Sequence, residues 1–230
     1  MGRGATLTVF ELDVFRGAPS AFHALELLDA PEPLVLVCEP DRDAVVLGSS
    51  QRVELLDAAA CATQGLEVAR RRSGGGAVLV EQGAMCWFDV VVPADHPGFA
   101  PVAADVTSSM VWLGRRVAAA LGSLAVSGAA VHEAPMRYTA WSRLVCFAGT
   151  GAGEVRLRAG KLAGVSQRRR RLGARFQCMV HTSWNPARLL AVLHEPRPRL
   201  TDLPAVATVD AEVAAALPRA LTEALNAFGA

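Results

Sequence analysis

Lysine is almost missing from this sequence. Of 23 basic residues only Lys161 is a lysine, and the other 22 are arginine. The bias reads as genomic, because on a surface the two residues serve solubility almost equally. They differ where a compact point charge must reach an oxygen in a confined space. A single lysine between Gly160 and Leu162 is therefore either a residue that arginine cannot replace or an accident of composition, and the count alone does not separate the two. Long hydrophobic runs are missing too. Stretches such as Leu34–Cys38 and Val90–Pro93 are too short to cross a bilayer. Met1–Phe15 mixes Arg3, Glu11 and Asp13 into its apolar residues and has no signal-peptide core. Met1-Gly2-Arg3-Gly4-Ala5-Thr6 fits a myristoylation pattern, but so loose a match arises by chance.

Cysteines are few and scattered. Cys38, Cys61, Cys86, Cys146 and Cys178 are odd in number and form no C-x-x-C pair. That argues against a disulfide framework or a metal site and for a reducing, cytoplasmic setting. Each is expected as a small buried hydrophobe. Charge of one sign is not in excess: the net charge is +1, which gives no reason to expect nucleic acid or a membrane surface as a partner. What remains is an ordinary globular composition, 52% apolar and 20% charged over 230 residues. That is enough for one well-buried core. No repeat or low-complexity linker divides the chain, so one domain over 1–230 is expected.

Patterning places strands at Thr6–Phe15, Leu34–Glu39, Ala44–Leu47, Glu67–Arg71, Ala77–Val80, Met85–Val92, Leu144–Phe147, Glu154–Leu157 and Phe176–His181. Lys161–Gln167 reads as a short strand or a loop. Helices are expected over Ala21–Asp29 with Ser20 as N-cap, over Glu54–Gln64, from an Asp105 cap through Leu121, over Pro186–Leu193, and over Ala211–Phe228 with a kink at Pro218. Val131–Trp141 has no clear pattern. Strands outnumber helices and often follow one another directly, which predicts an α+β fold with a mixed sheet and helices packed on it.

Two stretches carry chemistry. Arg70-Arg71-Arg72-Ser73-Gly74-Gly75-Gly76-Ala77-Val78 sets three glycines between two strands. Such a run allows backbone angles closed to other residues and lets a ligand approach the main chain. Alternatively it is a flexible hairpin turn. It is neither a Walker A loop nor a dinucleotide fingerprint. The second stretch is Gly160-Lys161-Leu162-Ala163-Gly164-Val165-Ser166-Gln167. Its glycines leave the surroundings of Lys161 open to a ligand, unless Lys161 is a solvated turn residue. Arg168–Arg171 follows as a solvated edge or an acidic-partner contact.

Together these stretches, with Val46-Leu47-Gly48-Ser49-Ser50-Gln51 upstream, resemble the biotin/lipoate protein ligase superfamily over roughly residues 30–195. The resemblance implies that superfamily's α+β catalytic fold and a tunnel for a medium-chain acyl group. Substrate binding would fall to Arg72, Ser73, Gly74, Gly75, Gly76, Ala77, Gly164 and Gln167. Lys161 would contact the acyl carbonyl oxygen, where a fixed ammonium stabilises developing negative charge.

The superfamily has two relevant branches. Cysteine-type octanoyltransferases carry a Cys-Phe pair, a loop and a Glu ahead of the Lys. Cys146-Phe147, Glu154 and Lys161 match that order. The preferred expectation is therefore an acyltransferase without cofactor. Cys146 would take an octanoyl or lipoyl group from an acyl carrier protein and pass it to a lysine of a lipoyl carrier domain, helped by thiolate-favouring Lys161. Both protein partners would be acidic, suiting Arg70–Arg72 or Arg168–Arg171 as contacts. The alternative is a lipoate–protein ligase using free lipoate, ATP and Mg²⁺, with Cys146 structural. The absence of sequence beyond Ala230 for an accessory domain leans toward the transferase. A third reading, a non-catalytic acyl-binding relative, comes from Val80 and Glu81, where relatives often have His-Asp.

Overall fold

In a computed structural model, residues 9–227 are described. In chain order the elements are β1 (Glu11–Gly17), α1 (Pro19–Ala24), β2 (Leu34–Pro40), β3 (Ala44–Leu47), α2 (Ala58–Thr63), β4 (Glu67–Arg70), β5 (Val78–Val80), β6 (Met85–Pro93), α3 (Val106–Ser123), β7 (Ala129–Val131), β8 (Val155–Leu157), β9 (Gly160–Arg170), β10 (Gly173–His181), α4 (Ala187–Ala191) and α5 (Ala211–Ala227). They form two sheets. The larger runs β1-β2-β6-β10-β9-β8-β7, and the smaller β4-β3-β5. Each is mixed: β1 lies parallel to β2 and β4 parallel to β3, whereas the remaining pairs are antiparallel. This is the expected α+β class.

The central strands β6 and β10 of the large sheet are buried on both faces, and alternation along them divides the core. Phe88 and Val90 of β6 and Phe176 of β10 join Leu113, Val117 and Leu121 of α3 and Leu217 and Leu221 of α5. Each such side chain withdrawn from water contributes about 1.5–3 kcal/mol. Trp87 of β6, Met179 of β10 and Leu36 and Cys38 of β2 belong to a separate cluster. It includes Val46 of β3, Val78 and Val80 of β5, and Phe22 of α1. The space between the two sheets therefore has its own apolar lining.

Several boundaries differ from the sequence expectations. Helix α1 starts at Pro19 and ends at Ala24 instead of running from Ala21 to Asp29, and Ser20 does not cap it. Proline's fixed φ suits the first helical position. Arg175 Nη2 and Nη1 donate to the Phe22 and Leu25 carbonyls, both at 2.9 Å, and tie off the helix end. The expected Glu54–Gln64 helix is a 3₁₀ turn, Val53–Leu55, followed by α2 under an Asp57 cap. Leu144–Phe147 is not a strand: only Val145 bridges to Ala77, and Cys146–Ala148 is a 3₁₀ turn. Lys161–Gln167 belongs to β9, which takes in Arg168, Arg169 and Arg170 as well. Helix α5 is continuous through Pro218. Asp105 does cap α3, accepting from the Ser108 N–H at 2.6 Å. The expected first strand begins partly outside the described residues, at Thr6–Thr8, as does Phe228 at the chain's last helix. Among the described residues no helix is long and apolar enough to cross a membrane.

Candidate active site

Between the sheets lies a narrow chamber whose walls are almost wholly apolar. Val46, Val78 and Val80 form one side, from the small sheet. Trp87, Gly164, Val165, Cys178 and Met179 form the other, and Cys146 and Phe147 close one end. Polar groups in the wall are few: His23, Arg71, Ser166 and Gln177. A second depression of about 200 Å³ has a different lining, with Arg137, Tyr138, Thr139, Thr150, Arg156 and Lys161 among its residues. Phe147 borders both spaces.

Lys161 stands at this shared wall. Its surroundings are not open, as the flanking glycines had suggested, because only 4% of the residue is exposed. The ammonium lies 2.7 Å from Glu154 Oε1. It also donates to the carbonyls of Cys146 at 3.2 Å and Gly149 at 3.3 Å, and sits 4.6 Å from the centre of the Phe147 ring. Glu154 is held in turn by the N–H groups of Gly151 at 2.8 Å and Val165 at 3.3 Å. Two of the three ammonium protons therefore meet main-chain carbonyls, and the charge is paired with Glu154.

Gly164 is a close-approach position. A Cβ there would come 3.0 Å from Phe147 and 3.3 Å from Lys161 Cε. The glycine lets the Phe147 ring lie against β9, and that ring carries the Lys161 contact.

Cys146 is partly exposed and borders the apolar chamber. Its N–H donates to the Ala77 carbonyl at 2.9 Å. Lys161 meets the main-chain oxygen of Cys146, and no hydrogen bond joins the ammonium to the Cys146 sulfur among the described residues. The contacts of the ammonium are Glu154 and two main-chain carbonyls.

The glycine loop is not a hairpin, since β4 and β5 flank β3 on opposite sides. Gly75 has φ +106°. Its missing side chain would meet the Arg71 guanidinium at 2.7 Å, whereas a Cβ on Gly76 would come within 2.7 Å of Cys146 N. Gly74 has nothing within 4 Å. Arg71 Nη2 donates to the carbonyls of Gly74 at 2.9 Å and Gly76 at 2.8 Å, so this buried arginine splints the loop from inside. The loop seats the Cys146 turn, and none of Gly74, Gly75, Gly76 or Ala77 borders the chamber.

The other expected substrate contacts disperse. Arg72 pairs with Glu26 at the surface. Ser73 Oγ meets Ser166 Oγ at 2.8 Å and Gln177 Oε1 at 3.2 Å. Gln167 turns away and donates to Ser109 Oγ at 2.9 Å. The structure thus gathers Cys146 and Gly164 at the Phe147 end of the chamber, with Lys161 across Phe147 in the second depression. Sequence reasoning missed Arg71, Trp87, Gln177 and His23 in its walls. Arg71 sat within a quoted motif but was read as part of a basic run, and nothing in the local pattern marked His23.

The family model for the lipoyl protein ligase A/B catalytic domain matches residues 23–225. This chain belongs to that family. No curated protein matches it. Among solved structures, a lipoate-protein-ligase-type protein of T. acidophilum with bound lipoic acid has a TM-score of 0.69 at 22% identity, covering 94% of this chain and 86% of that one. A lipoate-protein ligase A bound with ATP has a TM-score of 0.66 at 22% identity, covering 94% and 85%. A bipartite lipoate protein ligase of Thermoplasma acidophilum, studied with its E2 lipoyl domain, has a TM-score of 0.62 at 22% identity, covering 95% and 84%. At these identities the likeness is one of fold. The enzyme class expected from sequence, a lipoate–protein ligase or acyltransferase, stands on the family match.

Proposed function

We propose that this chain is an ATP-dependent lipoate–protein ligase, joining a lipoyl-type acid to a lysine of a carrier domain through an acyl-adenylate. The observation that carries this reading is the pair of unlike spaces meeting at Phe147 and Lys161. An acyl-adenylate has an apolar tail, a charged anhydride junction and a polar nucleotide. The apolar chamber suits the tail. The second depression, with Arg137, Arg156 and Lys161 in its wall, suits phosphate oxygens. Lys161 at the border suits the junction, where an ammonium offsets the negative charge that develops on the acyl and phosphoryl oxygens. The relatives named above, one with lipoic acid and one with ATP, support the same assignment. This reverses the preference drawn from Cys146-Phe147.

The residues around the polar depression fit a nucleotide's phosphates better than a metal. They include no carboxylate, Glu154 is committed to Lys161, and no cluster of three metal-ligating side chains exists among the described residues. A Mg²⁺ would arrive on the phosphates and keep most of its waters.

One observation favours the second reading, transfer through an acyl-Cys146. The Cys146 side chain borders the acyl chamber itself. Two assays separate the readings. The ligase releases pyrophosphate from ATP in the presence of free lipoate and adds a lipoyl mass to an E2-type lipoyl domain. The transferase instead gains one octanoyl mass from an octanoyl thioester of acyl carrier protein, a gain that Cys146→Ala abolishes, and it needs no ATP. Turnover from the thioester alone overturns the ligase reading.

A further inference from the structure

His23 is an orphan in the chamber wall. The residue is 6% exposed, and its Nε2 has no hydrogen-bond partner among the described residues. It stands on α1, which Arg175 fixes to the large sheet through the Phe22 and Leu25 carbonyls. Its ring lies 5.0 Å from that of Trp87. Its position is therefore set by the fold and not by a flexible loop.

The neighbours also set its tautomer. Gln177 Oε1 accepts from Ser73 Oγ at 3.2 Å, so the Gln177 amide nitrogen faces the other way. There it donates toward Asp89 Oδ2 at 3.4 Å and meets His23 Nδ1 at 3.1 Å. Asp89 is paired with Arg175 and fully buried, and as a carboxylate it can only accept. The amide must then present N–H groups to both, Nδ1 must accept, and the proton of neutral His23 resides on Nε2. Burial, with Arg175 and Arg71 nearby, pushes the His23 pKa down to about 3, so the ring stays neutral.

The chamber wall thus includes a fixed N–H donor without a partner, among valines, tryptophan and sulfur-bearing side chains. Its depth follows from strand register. Gln177 pairs with Ser166, whereas Met179 pairs with Gly164, the residue against which Phe147 packs. Two residues along a strand are about 7 Å. The donor therefore sits toward the far end from the Phe147–Lys161 wall, where the tail of a medium-chain acyl group lies and not its carboxyl.

We propose that His23 is a specificity-determining residue: its Nε2–H selects acyl tails that carry a hydrogen-bond acceptor, such as the sulfurs of a dithiolane ring, over plain saturated tails of equal length. The inference rests on the acyl-chamber reading above. The buried donor is unpaired in the free chain; a plain tail leaves it so, whereas a tail that carries a weak acceptor gains part of a hydrogen bond. Calorimetric titration of lipoate and octanoate into the full chain tests this. Wild type is expected to favour lipoate, and His23→Leu to shrink the lipoate-to-octanoate affinity ratio by about three- to tenfold, chiefly by weakening lipoate. His23→Gln, which returns an N–H near the Nε2 position, is expected to restore the ratio. An unchanged ratio in a folded His23→Leu overturns the role of His23 and leaves the chamber reading standing. Failure of both acids to bind wild type overturns both. The tautomer supplies a readout that needs no variant: two-bond ¹H–¹⁵N spectra of the wild-type chain are expected to show His23 protonated on Nε2. A proton on Nδ1 overturns the proposal.

Discussion

Lys161 and Glu154 form a buried ion pair at 2.7 Å, with side chains only 3% and 7% exposed. Removing one partner strands the other charge in a dry site, a loss of about 3–5 kcal/mol for buried pairs. Glu154→Gln is expected to lower the melting temperature markedly and to free the ammonium from its anchor. Lys161→Arg keeps the charge, but a planar fork cannot occupy a space closed by Glu154, two carbonyls and Phe147. Its turnover is expected to fall by about 10²-fold or more, the scale set by losing an oxyanion donor. Parallel thermal melts and lipoylation assays check both. Wild-type turnover in Lys161→Arg means the lone lysine is an accident of composition.

The glycine triplet is expected to respond position by position. Gly74→Ala meets open space and should leave stability nearly unchanged. Gly76→Ala drives a methyl to within 2.7 Å of Cys146 N and of the Val145 carbonyl carbon. Backbone on both sides must shift, so the Cys146 turn is expected to loosen at a cost of about 1–3 kcal/mol. Gly75→Ala faces the Arg71 guanidinium at a φ of +106°, and should fall between the two. Urea unfolding of the three variants reads the order. Equal effects at 74 and 76 would show that the loop does not seat Cys146.

Val80 holds the place where relatives often carry histidine, and it is fully buried in the chamber wall. Val80→His puts a polar ring into an apolar stretch of wall beside Val78, Trp87 and Met179. An unpaired buried polar group costs about 1–3 kcal/mol. The variant is expected to be less stable and to bind lipoate more weakly than wild type. Tighter binding would instead mark Val80 as the loss of a useful group.

The α+β class, the order of most strands and the Asp105 cap were legible because each is a local property: alternation, a capping side chain, a turn residue. The ends of α1 and the Cys146–Ala148 turn were not, because long-range partners decide them. Arg175 closes α1 from 150 residues away. The Cys146 turn is set by Ala77 and by the absence of a side chain at Gly76. Lys161 could be singled out by composition, but its burial could not. Flanking glycines suggested open space, whereas Gly164 is small so that Phe147 can close on β9. His23 left no mark in the sequence, since only the fold brings α1 to Gln177 on β10.

Two buried histidines give acid sensitivity a definite sign. Burial, the largest cause for each, lowers the pKa of His23 to about 3 and of His181 to about 4, from an ordinary 6.5. Both are neutral in the folded chain and charged in the unfolded chain between those values. A depressed folded pKa contributes stability that is present above 6.5 and lost as pH falls toward the folded value. Asp89 acts oppositely. Burial raises its pKa from 3.8 to about 6, so the folded chain takes up one proton there before the unfolded chain does. Between pH 6 and 5 the unfolded chain then binds about two extra protons and the folded chain about one, a net difference near one. Stability is expected to fall by roughly 1.4 kcal/mol per pH unit on acidification through this window. His181→Phe preserves the ring packed 4.6 Å from Phe147 and 4.8 Å from Trp184, and it removes one of the two unfolded-state protons. Its unfolding free energy, from urea titrations at pH 6.5, 6.0, 5.5 and 5.0, should therefore be nearly flat where wild type slopes. A wild-type profile that is flat or rises on acidification would mean that the two imidazoles are not kept neutral by burial.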